Sequence, residues 1–185
     1  EKWYEGDFSQ GKWDGKGIEY NHGGKKMYEG DFSENKWHGK GIRYYASGEK
    51  WYEGDFSQGK WDGKGIKYYE SGKKMYEGDF SENKYHGKGI KYYDNGNNTK
   101  QYEGDFSENE WDGKGIEYHE SGKKMYEGEW KNDKKHGEGI DYYIHFENNT
   151  KLYEGYFSQG KWDGKGIEYY HCLLYTSDAA DDEER

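Results

Sequence analysis

Apolar and polar residues alternate in short runs along this chain, as β-strands require. In residues 52–56, Tyr, Gly and Phe alternate with Glu and Asp, a period of two. A second alternating run covers residues 66–69, and no segment shows helical periodicity. Between two such runs, three positions after each Phe or after Trp130, stands a residue that tolerates a left-handed backbone: Gly11, Asn35, Gly59, Asn83, Asn109, Asp133 and Gly160. The pattern predicts β-hairpins with tight turns.

The hairpin pattern is repeated in tandem. Tyr-Glu-Gly recurs seven times, and the repeats start near Tyr4, Tyr28, Tyr52, Tyr76, Tyr102, Tyr126 and Tyr153. Two longer intervals hold Asn-Asn-Thr-Lys insertions, at residues 97–100 and 148–151. An isolated hairpin is marginal in water, so neighbouring hairpins must stack. At about 4.8 Å per strand, each repeat would add roughly 10 Å, and seven repeats roughly 65–70 Å.

Pairs of glycines stand in the second strand of each hairpin, where they predict close backbone packing against rings or a bulge. The pairs are Gly15, Gly17, Gly39, Gly41, Gly63, Gly65, Gly87, Gly89, Gly113, Gly115, Gly137, Gly139, Gly164 and Gly166. Strict alternation from Trp61 would place Lys67 on the aromatic face and Ile66 on the other. Either a bulge at the glycines resets this phase, or both faces are partly covered.

The unit YEGDF, a Gly or Asn turn, GKGI, Tyr-Tyr and Ser-Gly resembles the MORN (membrane occupation and recognition nexus) repeat. The likeness covers about residues 1–171 in seven copies. It implies an all-β fold, in which tandem antiparallel hairpins stack into an elongated, twisted, open solenoid-like sheet. It also implies protein–protein contacts, scaffolding or self-association, and sometimes phospholipid contact. Catalysis in such proteins comes from an appended domain.

Composition narrows the possible partners. The chain is only 30% hydrophobic, but 20% of its residues are aromatic, so rings must form the core rather than the chain being disordered. Its formal charge of −10 argues against nucleic acid and against direct binding to anionic membranes. No apolar run is long enough for a bilayer span. We favour a cytoplasmic location.

The last residues differ from the array. Residues 172–185 hold the only Cys and resemble translated read-through of a sequencing adapter, so we treat them as a non-repeat tail. The chain also starts without an initiator Met, and neither end shows a distinct capping repeat. We therefore expect it to be a fragment of a longer protein.

No chemistry-bearing constellation stands out, so we predict no enzyme, cofactor, metal or small-molecule substrate. His38, His86 and His136 share one column, but same-column residues lie roughly 10 Å apart, and no third zinc ligand is evident. We expect His38 to face Asp31 across its hairpin. We also expect a lysine column (Lys16, Lys40, Lys64, Lys88, Lys114) to face a glutamate column (Glu5, Glu29, Glu53, Glu77, Glu103).

The candidate interaction surface is a column of rings: Trp13, Trp37, Trp61, Tyr85, Trp111 and Trp162. Together with the open strand edges, this column favours a non-catalytic scaffold that binds a protein partner or a second copy of itself. Two alternatives stay open. The rings could bind a cell-envelope ligand such as choline or sugar, or the array could be the targeting arm of an enzyme whose catalytic domain lies outside this sequence.

Overall fold

The computed structural model describes residues 2–146 and 149–170, and these form one open antiparallel sheet of fourteen strands in chain order. The strands are β1 (Tyr4–Ser9), β2 (Lys12–Tyr20), β3 (Lys26–Ser33), β4 (Lys36–Tyr44), β5 (Lys50–Ser57), β6 (Lys60–Tyr68), β7 (Lys74–Ser81), β8 (Lys84–Tyr92), β9 (Lys100–Ser107), β10 (Glu110–Tyr118), β11 (Lys124–Lys131), β12 (Lys134–Tyr142), β13 (Lys151–Ser158) and β14 (Lys161–Glu168). The predicted all-β array of stacked hairpins is confirmed.

The predicted tail at residues 172–185 and the first residue of the second insertion, Asn148, lie outside the described residues. Within the described part of the chain, no helix has the length and apolar character needed to cross a bilayer.

Each hairpin closes with a two-residue turn in which both residues have a positive φ, as in Gln58 (52°) and Gly59 (82°). Such type I′ turns match the right-handed twist of the flanking strands. All seven predicted turn positions adopt this left-handed backbone. In four hairpins the turn residue is Asn or Asp, and its side chain reaches the preceding hairpin. Asn83 Oδ1, for example, accepts from the Trp61 backbone N–H at 2.8 Å.

A bulge interrupts every hairpin at its glycine pair. In β3 and β4, Gly30 pairs with Gly41 and the adjacent Asp31 pairs with His38, so β4 carries two extra residues. The Asp31 carboxylate accepts from the Lys40 backbone N–H at 3.1 Å and holds the bulge in place. The expected Asp31–His38 pairing is thereby confirmed.

Because two is an even number, the bulge does not change which face later residues occupy. Lys67 pairs with Tyr52 on the aromatic face, while Ile66 pairs with Glu53 on the opposite face. The idea that the bulge resets the phase is therefore wrong. The alternative holds, because Lys67 and Ile66 are both half-buried and both faces of the sheet are partly covered.

The core is a continuous ladder of rings on one face, which we call the aromatic face. In the third repeat, Tyr52 has no exposed surface and stacks on Trp61 with ring centroids 4.7 Å apart. Phe56 and the next repeat's Phe80 both meet the Tyr52 ring edge-on at 5.0 Å. Each Phe therefore bridges two repeats, and the hydrophobic surface of one hairpin is buried only by its neighbours.

Glycines make room for these tyrosines. A Cβ built at Gly65 or at Gly41 would overlap the hydroxyl and ring of the tyrosine that lies across it, Tyr52 or Tyr28. The Tyr52 hydroxyl itself donates to the Asp55 carbonyl at 3.0 Å, so the buried O–H is paired. The other glycine of the pair, such as Gly63, has a φ of 103° at the bulge.

The lysine column does not face the glutamate column, so that prediction is wrong. Lys16 lies opposite Asp31 of the next hairpin, 2.5 Å from its carboxylate, and three more lysines of that column do the same with the next aspartate. Glu5 lies opposite Ile18 instead, and pairs with Lys2 at 2.9 Å. The lysines thus link neighbouring hairpins, because the bulge offsets them within their own hairpin.

Candidate functional site

The predicted ring column lies on the aromatic face, and most of it is covered. Each ring stacks on the tyrosine of the Tyr-Glu-Gly segment in its own hairpin, at centroid distances from 3.9 Å for Tyr85 to 4.9 Å for Trp37. Trp61 and Tyr85 are buried, Trp13, Trp37 and Trp111 are half-buried, and Trp162 is 41% exposed. Along most of the array a ligand could reach only the edges of these rings. Near the end of the array, at Trp162, it could also reach more of the ring.

A row of charged residues runs beside the ring column. We call it the central charge row, and it consists of the residue after Gly-Ile in each of the first six repeats: Glu19, Arg43, Lys67, Lys91, Glu117 and Asp141. Three members contact the ring column of the next repeat, and one of them, the Lys67 ammonium, lies 5.5 Å from the Tyr85 ring centroid. Glu19 accepts from the Trp37 indole N–H at 2.7 Å, and Asp141 accepts from the Trp162 indole N–H at 2.7 Å.

Burial changes the acid–base properties of this row. Burial raises the pKa of the Glu19 and Glu117 carboxyls, although Trp37 and Lys135 respectively act against it. Burial also lowers the pKa of Arg43 and of Lys67, and in Lys67 the nearby Lys91 adds to the effect. The row therefore holds charges away from full solvation in the middle of an aromatic surface.

The sixth repeat replaces the usual ring pair. Trp130 stands where other repeats have Phe, and Lys135 stands in the ring column. The Lys135 ammonium lies 4.9 Å from the Tyr126 ring centroid and 2.5 Å from the Asp141 carboxylate. The larger Trp130 packs edge-on against Trp111 at 4.8 Å. The larger ring at one position therefore accompanies the loss of a ring at the other.

The opposite face carries a groove of about 1150 Å³ that crosses the strands of repeats 4 to 7. Its floor is glycine backbone, because the glycines direct their missing side chains toward the tyrosines. Ile90, Ile116 and Ile140 line it, together with six glutamates and three lysines. We call this surface the glycine–isoleucine groove. A smaller section, about 380 Å³, lies at Ile18 in the first two repeats.

The glutamate column beside this groove is held by paired groups. Lys26 lies 2.9 Å from Glu29, and the Tyr44 hydroxyl donates to the same carboxylate at 3.2 Å. The hydrogen bond from Lys26 is the largest cause that lowers the pKa of Glu29. The same trio recurs at Glu77, Glu103 and Glu127, so ion pairs at regular intervals flank the groove.

Among residues 2–146 and 149–170, no group of three or more His, Cys, Asp or Glu side chains has a metal-binding arrangement. The histidines of the predicted column stand in separate hairpins, as their spacing requires.

Sequence analysis missed both the groove and the central charge row. The row had a visible signal, because the position after Ile holds acids in some repeats and bases in others, while the Tyr, Gly and Ile positions around it hardly vary. The groove had none, because a glycine floor becomes visible only when adjacent hairpins are in register.

Comparison with known protein families gives a direct result. A family model described as the MORN repeat matches the chain seven times, at residues 4–24, 28–50, 52–74, 76–98, 102–124, 126–140 and 153–171. The seven matches begin at the seven predicted repeat starts, which confirms the resemblance. A search of curated proteins gave no match.

Proposed function

Because the chain belongs to the MORN repeat family, whose repeats form interaction and scaffold modules, we propose that it is a non-catalytic scaffold for a protein partner. An extended segment of that partner would lie along the glycine–isoleucine groove. One observation carries this proposal: the groove continues over four repeats with a floor free of side chains. Bare backbone admits another chain closely, and the regular isoleucines offer apolar contacts.

The charges of the groove favour a basic partner segment. Its lining contains six glutamates against three lysines, four of the glutamates pair with lysines beside the groove, and the whole chain has a formal charge of −10. Complementary charge steers association and excludes wrong partners. The same charge makes a protein partner a better match than an anionic membrane, although MORN repeat proteins in general mediate protein or membrane interactions. In a longer protein, this groove would act as the targeting arm of whatever domain adjoins it.

A selection from random displayed peptides tests the groove. We expect the enriched peptides to combine Lys or Arg with aliphatic residues, and to bind the chain in calorimetry. The triple variant Ile90→Ser, Ile116→Ser, Ile140→Ser should abolish binding, whereas Ile66→Ser, in the same column but outside the groove, should leave it unchanged. Selected peptides that bind the triple variant equally well would refute the groove as the docking surface.

Self-association is a second candidate function, favoured by the two outer strands. Phe8 on β1 is 61% exposed, whereas the equivalent Phe32 is 3% exposed because it packs on the preceding repeat. Trp162 on β14 is 41% exposed and has no following repeat among the described residues. Pairing β14 of one copy with β1 of another would repeat the interface that already joins β2 to β3. Lys165 would then face Asp7 of the second copy, as Lys16 faces Asp31.

Two edge variants distinguish head-to-tail pairing from other association. Phe8→Ser leaves the β14 edge intact, and Trp162→Ser leaves the β1 edge intact. We expect each variant alone to sediment as a monomer, and an equimolar mixture to form dimers and nothing larger. A mixture that remains monomeric, or single variants that still form long assemblies, would rule out pairing through these edges.

The ring column remains our proposed contact surface where it is exposed, chiefly at Trp162. Binding of choline or sugar by the column ranks below the groove. A cage or stacking platform needs open ring faces, whereas these rings stack on tyrosines. Retention of the chain on a choline or polysaccharide matrix, lost in Trp162→Ser, would reverse this ranking.

A further inference from the structure

We propose that the aromatic face contains a binding site for a carboxylate, formed by the indole N–H of Trp61, the guanidinium of Arg43 and the ammonium of Lys67. This site lies on the face opposite the groove and does not depend on the proposed function. Its residues belong to the second and third repeats.

The chain itself shows how a carboxylate occupies such a position. Glu19 and Asp141, members of the central charge row, each accept an indole N–H of the next repeat at 2.7 Å. The equivalent row member for Trp61 is Arg43, which has only donors. A donor therefore stands at the position where the first and sixth repeats place the acceptor.

Two buried donors at this point have no protein acceptor. Within the described residues, the indole nitrogen of Trp61 and Nε of Arg43 are the buried side-chain polar atoms without a hydrogen-bond partner. Trp61 is only 6% exposed. Buried polar groups in proteins are almost always paired, so two orphan donors in neighbouring repeats indicate a missing acceptor.

The Arg43 and Lys67 cations pack on rings of the cluster that holds the orphan indole. The Arg43 guanidinium carbon lies 4.2 Å from the Trp51 ring centroid and 4.9 Å from that of Trp37, so the cation packs against both rings. Trp51 meets Trp61 edge-on at 5.3 Å. The Lys67 ammonium lies 5.5 Å from the Trp61 ring centroid.

The electrostatics of these cations support an anionic ligand. Burial is the main cause that lowers the pKa of Arg43 and of Lys67. The Glu19 carboxylate opposes this effect at Arg43, whereas Lys91 of the next repeat lowers the pKa of Lys67 further. A bound anion would offset this unfavourable burial of positive charge. Both side chains are long and half-buried, so they can turn aside to admit a ligand from solvent.

The internal precedents define the class of ligand as a carboxylate. It could be a free small carboxylate or the Asp or Glu side chain of a peptide. In either case one oxygen would accept the Trp61 N–H, as the Glu19 oxygen does for Trp37, and the other would face the Arg43 or Lys67 cation.

Indole N–H signals in a two-dimensional ¹H–¹⁵N spectrum test the site, because the chain has eight Trp residues. Trp61→Tyr assigns the Trp61 signal and keeps a ring that the fourth repeat uses naturally. The probes are acetate, acetyl-Gly-Glu-Gly-amide, its Gln counterpart and inorganic phosphate, all at an ionic strength matched with chloride. We expect acetate and the Glu peptide to shift the Trp61 signal saturably, and the Gln peptide to leave it in place.

Variants separate a bound carboxylate from general charge effects. Arg43→Glu supplies the carboxylate internally, so its Trp61 signal should already be shifted and should no longer respond. Lys67→Gln should weaken binding by at least about tenfold, the effect of losing a charged hydrogen bond. Lys40→Gln removes an equally positive side chain from the other face of β4 and should bind like the unaltered chain.

Comparison of the probes and variants gives results that support the site or overturn it. Tighter binding of the Glu peptide than of acetate supports the site with a protein side chain as its ligand, and equal binding supports it with a free carboxylate. The proposal is overturned if all indole signals shift together, if phosphate shifts Trp61 and carboxylates do not, or if Lys40→Gln weakens binding as much as Lys67→Gln. A folded Arg43→Glu chain whose Trp61 signal still responds would also overturn it.

Discussion

Substitution of Gly89 by Ala is the sharpest test of how the sheet is packed. Gly89 has an ordinary φ, so Ala meets no backbone penalty there. A Cβ at this position would overlap the hydroxyl and ring of Tyr76. Tyr76 cannot move away easily, because it is fully buried, stacks on Tyr85 at 3.9 Å and meets Phe80 edge-on at 5.0 Å.

The magnitude follows from two opposing effects. Overpacking a close-packed core costs about 1–3 kcal/mol, and the rigid surroundings place this site at the upper end. The Gly-to-Ala change recovers about 0.4–1 kcal/mol by restricting the unfolded chain. We therefore expect Gly89→Ala to lower the free energy of unfolding by about 2 kcal/mol, which moves the urea midpoint by about 1 M at a typical slope.

Urea unfolding monitored by Trp fluorescence and circular dichroism measures this change. Gly23→Ala is the control, since Gly23 also has an ordinary φ but lies exposed in a loop. The double variant Tyr76→Leu, Gly89→Ala should lose less stability than the two single changes added together, because Leu vacates the space that Cβ needs. If Gly89→Ala and Gly23→Ala differ by less than about 0.5 kcal/mol, the close packing of Tyr on Gly is refuted as a source of stability.

Three further substitutions test other contacts by the same unfolding assay. Gly59→Asn should stabilise the sheet by about 0.5–1 kcal/mol, because Asn Oδ1 would reach the Trp37 backbone N–H. Glu117→Gln should stabilise the sheet at pH 7. It should also reduce the increase in the free energy of unfolding that occurs when the pH is lowered from 7 to 5. Trp130→Phe should destabilise it by about 1–3 kcal/mol, and adding Lys135→Trp should restore part of the loss because the usual ring pair returns.

The sign of the Glu117 effect comes from its buried position. Burial raises the pKa of this carboxyl in the folded chain, the Lys135 ammonium opposes that rise and the Asp141 carboxylate adds to it. The folded state then binds its proton at a higher pH than the unfolded state does. This group's contribution to stability therefore increases as the pH falls through the folded pKa toward the unfolded value. An unchanged pH dependence in Glu117→Gln, or an equal change in the exposed control Glu120→Gln, would contradict this account.

The other two predictions have their own controls. Asn83→Gly should lower the free energy of unfolding by about as much as Gly59→Asn raises it, since Asn83 already accepts the Trp61 backbone N–H. Equal stability of all three chains would show that the turn side chain contributes nothing. For the sixth repeat, strictly additive effects of Trp130→Phe and Lys135→Trp would show that the two positions do not compensate each other.

Local chemistry was sufficient to predict the elements of this fold. Alternation at residues 52–56 indicated a strand, and Gly, Asn or Asp after each Phe indicated a left-handed turn, because few other residues tolerate that backbone. The 24-residue recurrence of Tyr-Glu-Gly then required stacking, since no single hairpin buries its own rings. Each of these inferences depends on residues close together in the chain.

The partners of the charges, and the sites they form, needed the tertiary structure. A period of two says that Lys16 lies opposite some residue of an adjacent strand, but not which strand or at what offset. The two-residue bulge decides this, and it moves Lys16 from Glu5 to Asp31 of the next hairpin. The orphan indole of Trp61 likewise depends on the assembled sheet, in which Arg43 packs on Trp51 and Trp51 meets Trp61 edge-on. Register between repeats is a property of the assembled sheet, so a local pattern cannot specify it.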